Sequence, residues 1–477
     1  VTFRHPRATV TGMRTAIIGG GAAGLMATVA LHTADPTAEI FLMERNNGLG
    51  KKVIISGGGR CNVTTGIQDV RTLLTKYPRG AKFLSSAMYA FPPEAVYAWF
   101  ESHGVPLKTE PDLRVFPQSD DGRDIVRALE RLFEAPNIHA MLNTHVIGIT
   151  RRELVPSPSC RGGAGGGAGP PLRSERFSPC HRQGGRPVLR SLGEGGEGVP
   201  RFSIQIKNQP DQILVDTVVL TTGGQAYRHT GSTGDGYAFA ISLGHTLTPL
   251  APGLNAFFTS ERWPAEVSGL SFTRARVTTQ RGKGVSFTGP LLFTHKGVSG
   301  PVVFALSSLV AFEPYDVKQP LDITIDLFPD QDADALRVIM TKAIAEHPGK
   351  SLQNIIAGII PKSLAEICVR EASLPGTTRA AEIVKKDIQR AIAWLKGIPL
   401  HVIQRGAGDE FVTAGGIPLT EVNPSTMESK ITPGLYFAGE ILDVDGFTGG
   451  FNLQASWATG HLAGEHIGGL WTTPLTI

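Results

Sequence analysis

Apolar and polar positions along this chain alternate between short buried-strand runs and helical stretches. Ala16–Ile18 is a short apolar run of the kind buried in a parallel sheet. Ala22–Thr33 carries good helix formers, with no Pro and no Gly beyond Gly24. Ala38–Glu44 reads as a second strand. Helices are expected over Pro93–His103 and Arg123–Phe133, the latter with Ile125, Leu129, Leu132 and Phe133 at core-facing spacing. Strand character returns from Ile138 to Ile149, at Phe202–Lys207 and at Ile213–Thr222, which ends in Gly223-Gly224. Gly231-Ser-Thr-Gly-Asp-Gly236 precedes a helix at Tyr237–Leu243. From 246 to 328 short strands alternate with Gly and Pro turns, as in a small β-rich domain. Residues 330–395 read as helical, with Ser351 as an N-cap, Pro361 at a first helical position, and Ile383, Ile388, Ile392 and Leu395 on one face. A strand over Pro433–Glu440 and a helix from Gly449-Gly450 to about His466 close the pattern.

One segment breaks it. Residues 151–200 are rich in Gly, Pro, Ser and Arg with almost no aromatics, and such a composition cannot bury enough apolar surface to order itself. They read as a disordered insertion, and Cys160 and Cys180 within it have no expected role. The remaining pattern implies a first nucleotide-type part at 13–225 and a β-rich unit at 226–329, closed by 398–411. A helical subdomain at 330–397 and a returning second part at 412–470 complete it.

The chain's 477 residues suit ~3 domains. An apolar fraction of 41% and a charged fraction of 18% suit a soluble globular protein with a large core. The net charge is only +4, part of it from the Arg-rich insertion, so neither nucleic acid nor an acidic membrane is demanded as partner. Cys61, Cys160, Cys180 and Cys368 form no C-x-x-C or zinc spacing, which points to a reducing, cytoplasmic setting and to no metal. No stretch approaches the ~20 apolar residues of a membrane span, and Val302–Phe312 is too short and holds two serines. The first twelve residues lack a signal-peptide apolar region and read as a frayed leader before Met13.

Chemistry enters with the first strand–turn–helix. Gly19, Gly21 and Gly24 form Gly-x-Gly-x-x-Gly, with Ala22 and Ala23 between the last two. The first glycine permits the turn, the second lets backbone approach a pyrophosphate, and the third lets helix and strand pack closely. The diphosphate would sit on free N–H groups at the positive helix end. Glu44, 20 residues past Gly24 at the end of the second strand, lies where an acid meets ribose hydroxyls, and Arg45 follows it. The N-terminus therefore reads as a dinucleotide site, and the acid argues against a 2′-phosphate.

Three further stretches extend the ligand. Gly57-Gly58-Gly59-Arg60-Cys61-Asn62 offers backbone N–H groups beside a cation and an amide, suited to phosphate and sugar; the alternative is a surface turn. Thr222-Gly223-Gly224 lets backbone pass close to a ligand. Gly439-Glu440, Asp443 and the helix opening at Gly449-Gly450-Phe451-Asn452-Leu453 place an acid and a helix N-terminus in one region. There they would hold ribityl hydroxyls and stabilise charge on the N1/C2 side of a reduced flavin.

These segments resemble the BaiN-like family of bacterial FAD-dependent oxidoreductases, also called aminoacetone-oxidase-type flavoproteins. The matching motifs are GGGAAG (19–24), GKKVIISGGGRCNVT (50–64), RVFP (114–117), TTGGQAY (221–227), TGSTGDGYA (230–238) and LLFTHKGVSGP (291–301). VTAGGIPLTEV (412–422), TMESK (426–430) and GLYFAGEILDVDGFTGGFNLQASWATG (434–460) complete the set, which spans nearly the whole chain outside 151–200. The resemblance implies an α/β fold: a two-dinucleotide-binding-type, Rossmann-like FAD domain with an inserted β-barrel-like domain and a small helical domain. It implies FAD contacts at Gly21–Gly24, Glu44, Gly57–Asn62, Glu440 and Asn452–Leu453, with the backbone near Val146 meeting the adenine. The Arg/Gly/Pro insertion has no counterpart in that family pattern.

The resemblance further implies reduction of an activated carbon–carbon double bond, or oxidation of a small amine or ketone, on a small organic or steroid-like substrate. A second strand-linked Gly-x-Gly-x-x-Gly is absent, so NAD(P)H would dock transiently as donor. Tyr227, past the Gly223-Gly224 turn, and His295, in Phe-Thr-His-Lys-Gly, are candidate proton donors. Cys61 stands alone and reads as a packed cofactor-loop residue. Two other classes compete: a flavoprotein acting on tRNA, suggested by a pI of 8.8 and the Arg-rich insertion, and a non-catalytic FAD-binding scaffold.

Overall fold

The computed structural model describes residues 12–152, 201–279, 284–406 and 411–472. The expected leader up to residue 11, and residues 153–200 of the expected insertion with Cys160 and Cys180, lie outside the described residues.

The chain opens with β1 (Arg14–Ile18), α1 (Ala22–Ala34) and β2 (Glu39–Met43). Then come α2 (Lys51–Ile55), β3 (Thr64–Thr65), α3 (Val70–Leu74), α4 (Ala81–Ala90) and α5 (Pro93–Ser102). Next are β4 (Leu107–Thr109), β5 (Arg114–Pro117), α6 (Gly122–Glu130), β6 (Ile138–Met141) and β7 (Val146–Arg151). After the insertion follow β8 (Phe202–Ile206), β9 (Ile213–Val215), β10 (Thr217–Leu220) and α7 (Asp235–Ser242). The next unit holds β11 (Ala251–Gly253), β12 (Phe257–Thr259), β13 (Ser271–Thr279), β14 (Val285–Thr294), β15 (Gly297–Ser299), α8 (Pro301–Leu309) and β16 (Leu321–Asp326). Four helices, α9 (Ala333–Glu346), α10 (Leu352–Ile356), α11 (Lys362–Glu371) and α12 (Lys385–Lys396), lead to β17 (Ile398–Arg405), β18 (Val412–Ala414), β19 (Leu435–Phe437) and α13 (Phe451–Thr472).

The main sheet has the order β19-β10-β1-β2-β6, and every neighbour in it is parallel. Its continuous apolar strands are what a sheet covered on both faces requires. All of the first ten residues of α1 are buried, because the helix is covered by the sheet and by α13. That close contact depends on Gly460 and Gly464, where a Cβ would stand 2.4 Å from Ala23 O and 2.6 Å from Ala27 O. The first and last segments of the chain are thus neighbours.

A closed six-stranded barrel, β12-β15-β14-β13-β16-β17, forms a second body. Its interior and helices α9 to α12 share one apolar cluster, separate from the cluster around the main sheet. Ser351 caps α10 as expected, whereas Pro361 is the N-cap of α11 and not its first helical residue.

Three local patterns differ from the sequence expectation. Ile213–Thr222 is two strands in two sheets, because Asp216 turns the chain between them: its backbone N–H donates to Arg14 O, and its carboxylate accepts from Arg14 N at 2.9 Å. Ile138–Ile149 likewise divides at Leu142–His145, where Asn143 N donates to Asn46 O and Thr144 N to Glu44 O, both at 2.8 Å. The apolar run at 302–312 contributes to a helix, α8, within the β-rich stretch, with Val302, Val303 and Leu306 buried.

Candidate active site

The β1–α1 turn sets the first wall of the site. A Cβ on Gly24 would stand 1.9 Å from Gly19 O, so only glycine lets helix and strand approach this closely. A Cβ on Gly21 would meet nothing within 4 Å, because this residue faces open cleft. Gly21 is the N-cap of α1 and offers no side-chain cap, which leaves first-turn N–H groups available to a ligand. Glu44, buried at the end of β2, accepts from Gly20 N and Asn46 N, each at 2.8 Å, and from Asn46 Nδ2 at 2.6 Å.

The second wall comes from the other end of the chain. Glu440 follows β19 and accepts from Thr413 N at 2.8 Å and from Lys52 Nζ at 2.5 Å. The Lys52 pair joins α2 to the C-terminal segment across 388 residues. Asn62 bridges the same two regions, its amide oxygen accepting from Gly450 N at 2.9 Å and its amide nitrogen donating to Thr64 O at 3.1 Å. The Thr222 hydroxyl is buried on the cleft wall without a partner among the described residues.

Together these walls enclose a cleft of about 1170 Å³. Gly19, Gly21, Ala22, Ala23, Glu44, Arg45, Gly57, Gly58, Asn62, Val146, Thr222, Gly223, Tyr227, Gly439, Glu440, Gly450, Asn452 and Leu453 line it. The lining also holds four aromatic rings, Phe287, Phe304, Phe411 and Phe447, with the Phe287 and Phe447 ring centres 5.1 Å apart, as are those of Phe304 and Phe411. The lining thus offers both backbone and polar groups for a phosphate-bearing ligand and aromatic surface for a flat apolar group. Open space at Gly21, free helix-start N–H groups and an unpartnered wall hydroxyl fit a dinucleotide such as FAD.

Seven of the expected site residues stand outside this cleft lining: Gly24, Gly59, Arg60, Cys61, Gly224, Asp443 and His295. Gly24 serves packing. Arg60 is drawn away by Glu110 at 2.7 Å and by the Phe116 face, 3.9 Å from its guanidinium carbon. Cys61 is wholly buried, and burial pushes its thiol up to about 12, which leaves no thiolate for redox chemistry. Gly224 lies behind the wall against Thr413 and Glu440. Asp443 is half-buried behind the C-terminal loop, and burial raises its carboxyl above the usual range. His295 is exposed in the turn between β14 and β15. The Asn452 amide is engaged with Gly446, accepting from its N at 2.8 Å and donating to its O at 2.9 Å.

Sequence reasoning missed Lys52, Asn46 and the aromatic wall. Lys52 stands in the GKK doublet that opens α2, but its partner is 388 residues away. The four phenylalanines come from four separate segments, and no spacing links them.

Fold and cleft define a Rossmann-type α/β protein whose cleft is lined in part by strand β14 of the barrel. Family comparison agrees: residues 13–155 and 196–466 match the HI0933-like protein Rossmann domain. The chain belongs to that family. It is 29% identical over 455 residues to a 3-dehydro-bile acid delta(4,6)-reductase of Clostridium scindens, covering 95% of this chain and 98% of that protein. It is 26% identical over 444 residues to a ribosomal RNA dihydrouridine synthase of Escherichia coli, covering 93% and 95%. Among solved structures, 3-ketosteroid delta1-dehydrogenase from Sterolibacterium denitrificans matches with a TM-score of 0.46 and 12% identity, over 96% of this chain and 99% of that one. Among the described residues no helix is long and apolar enough to cross a membrane.

Proposed function

We propose that this protein is an FAD-dependent oxidoreductase that reduces a carbon–carbon double bond conjugated to a carbonyl, with a nicotinamide as transient hydride donor. The observation that supports it most is the single cleft lined by the Gly19–Ala23 turn, Glu44, Glu440, the start of α13 and four phenylalanines, one of them from barrel strand β14. In this reading the turn N–H groups hold the diphosphate, Glu44 the adenosine ribose, the Val146 region the adenine, and Glu440 the ribityl hydroxyls. The Gly57–Gly58 turn, Asn62, and the Gly450–Leu453 backbone complete the cradle. Bound there, the flavin supplies hydride-transfer chemistry. The aromatic wall excludes water and orients a flat substrate, and Tyr227, on the cleft lining, is the candidate proton donor; exposed His295 is set aside. A cytoplasmic setting belongs to the same reading.

The substrate is a small organic or steroid-like enone. A second reading, uracil in RNA, is favoured by one observation, the 26% identity to a ribosomal RNA dihydrouridine synthase. Uracil also presents a carbon–carbon double bond conjugated to a carbonyl, so both readings need the same site chemistry. Anaerobic mixing with NADH and NADPH should bleach the yellow protein, and an enone should restore the colour. Restoration by uridine-containing RNA alone, with steep salt dependence, would select the second reading. Colourless protein that FAD cannot reconstitute would overturn both, and bound flavin that no nicotinamide reduces would mark a scaffold.

A further inference from the structure

The cations lining the cleft differ in one respect. Arg45 is held by Asp235 at 2.7 Å, Lys52 by Glu440 at 2.5 Å, and Arg114 by Asp112 at 2.7 Å and Glu110 at 3.0 Å. Lys51 donates to Asn46 Oδ1 at 3.2 Å, and His145 lies 3.6 Å from Asp235. Lys76 also lines the cleft, half-buried, and its ammonium has no hydrogen bond or ion pair among the described residues. Its backbone is fixed: Lys76 N donates to Leu73 O at 2.9 Å, and Lys76 O accepts from Phe447 N at 3.0 Å. The next residue is anchored too, with Tyr77 Oη donating to Phe451 O at 2.7 Å. Lys76 is thereby tied to Phe447, one of the rings of the aromatic wall. A cation with three donors, no acceptor among the described residues and a fixed root beside an apolar surface is placed to meet an acceptor that arrives with the substrate.

We propose that Lys76 binds the carbonyl oxygen of the conjugated substrate and stabilises the negative charge that develops there. This rests on the reductase reading above. A flavin bound in the cleft would supply the hydride that the β-carbon gains. The double-bond pair shifts to the bond between the α-carbon and the carbonyl carbon, and the carbonyl π pair moves onto oxygen, where the Lys76 ammonium meets it; a proton from Tyr227, the candidate donor, then reaches the α-carbon and the carbonyl re-forms. The ammonium acts on charge that is greater in the transition state than in the ground state, so its effect falls on kcat more than on KM.

The test uses the flavin-loaded protein with two probes: 4-nitrophenol, whose colour reports its ionisation, and cyclohexenone as a neutral enone. The wild-type protein should bind nitrophenol as the phenolate and lower its ionisation midpoint. Lys76→Met should abolish that shift and slow cyclohexenone-driven reoxidation by about 10²-fold, with flavin content and reduction by the nicotinamide unchanged. Lys76→Arg, which keeps the charge, should recover both in part. If Lys76→Met binds phenolate and reoxidises like wild type, the proposal is overturned while the flavoenzyme reading stands. An effect confined to enones that carry a remote carboxylate also overturns it, by placing Lys76 on that anion. Wild-type protein that takes up no flavin overturns the underlying reading first.

Discussion

At residue scale, Gly21 and Gly24 belong to one motif but do different work. Gly21 has ordinary extended backbone, φ −84° and ψ −170°, and open space where a side chain would go. Gly24 has Gly19 O at 1.9 Å and the Thr221 hydroxyl at 2.7 Å from its Cβ direction. Gly21→Ala should therefore leave flavin-free stability within ~0.5 kcal/mol of wild type and sharply weaken FAD binding, since its methyl would occupy ligand space. Gly24→Ala should destabilise the flavin-free protein itself by about 1–3 kcal/mol. Urea unfolding beside a flavin-fluorescence titration separates the two; equal stability losses would show that Gly21 is a packing residue as well. Much of this wall was legible in the sequence, because a glycine spacing and an acid at a strand end are local signals. Arg60 was not, since its position is decided by Glu110 and Phe116, 50 and 56 residues further on.

At the scale of elements, helices and strands emerged where the apolar period was long. They blurred where one polar side chain redirects the backbone, as Asp216 does between β9 and β10. The barrel's strands could be read singly, but its closure could not, because β12 pairs with β17 across 143 to 148 residues, as in Thr259 with Val402 and Phe257 with Arg405. His245 is another such long-range joint. It follows α7, its ring is buried, and it lies 2.8 Å from both Glu421 Oε2 and Ser429 Oγ while packing edge-on against Phe437 of β19. Ser429 Oγ already accepts from Ile431 N and Thr432 N, so its O–H is free to donate to Nε2, and Nδ1–H donates to Glu421. Burial lowers the imidazole below its ordinary value, with Glu421 opposing part of the effect. The unfolded chain then takes up the proton first as pH falls. Stability should drop from about pH 6.5 downward until the folded ring itself protonates, by at most about 1.4 kcal/mol per pH unit. Thermal melting at pH 7.5 and 5.5 should show the loss, and His245→Gln should flatten it; an unchanged slope in the variant would assign the effect elsewhere.

For the whole molecule, the two bodies are tied at Asp445. Its fully buried carboxylate pairs with Arg79 and accepts from Ser308 Oγ of α8 at 2.9 Å, while Arg79 Nη1 donates to Ser308 O at 2.9 Å. One cluster thus joins the C-terminal loop, the segment before α4 and the helix beside the barrel. Asp445→Asn leaves the Arg79 charge without its partner and should cost about 3 kcal/mol in denaturant unfolding. The Arg79→Leu, Asp445→Leu double variant should cost less than the sum of its singles; strict additivity would show that the two side chains act independently.

The strand order of the main sheet also constrains how the protein is made. A ribosome releases β1 and β2 well before their neighbour β10, which follows some 170 residues after β2, and the edge strand β19 and covering helix α13 emerge later still. The barrel and its helices, contiguous from Phe257 to Arg405, can close while the earlier segments still wait. On the proposed cradle, flavin is captured only after β19 and the start of α13 have been made, so nascent chains halted before Leu435 should emerge without bound cofactor.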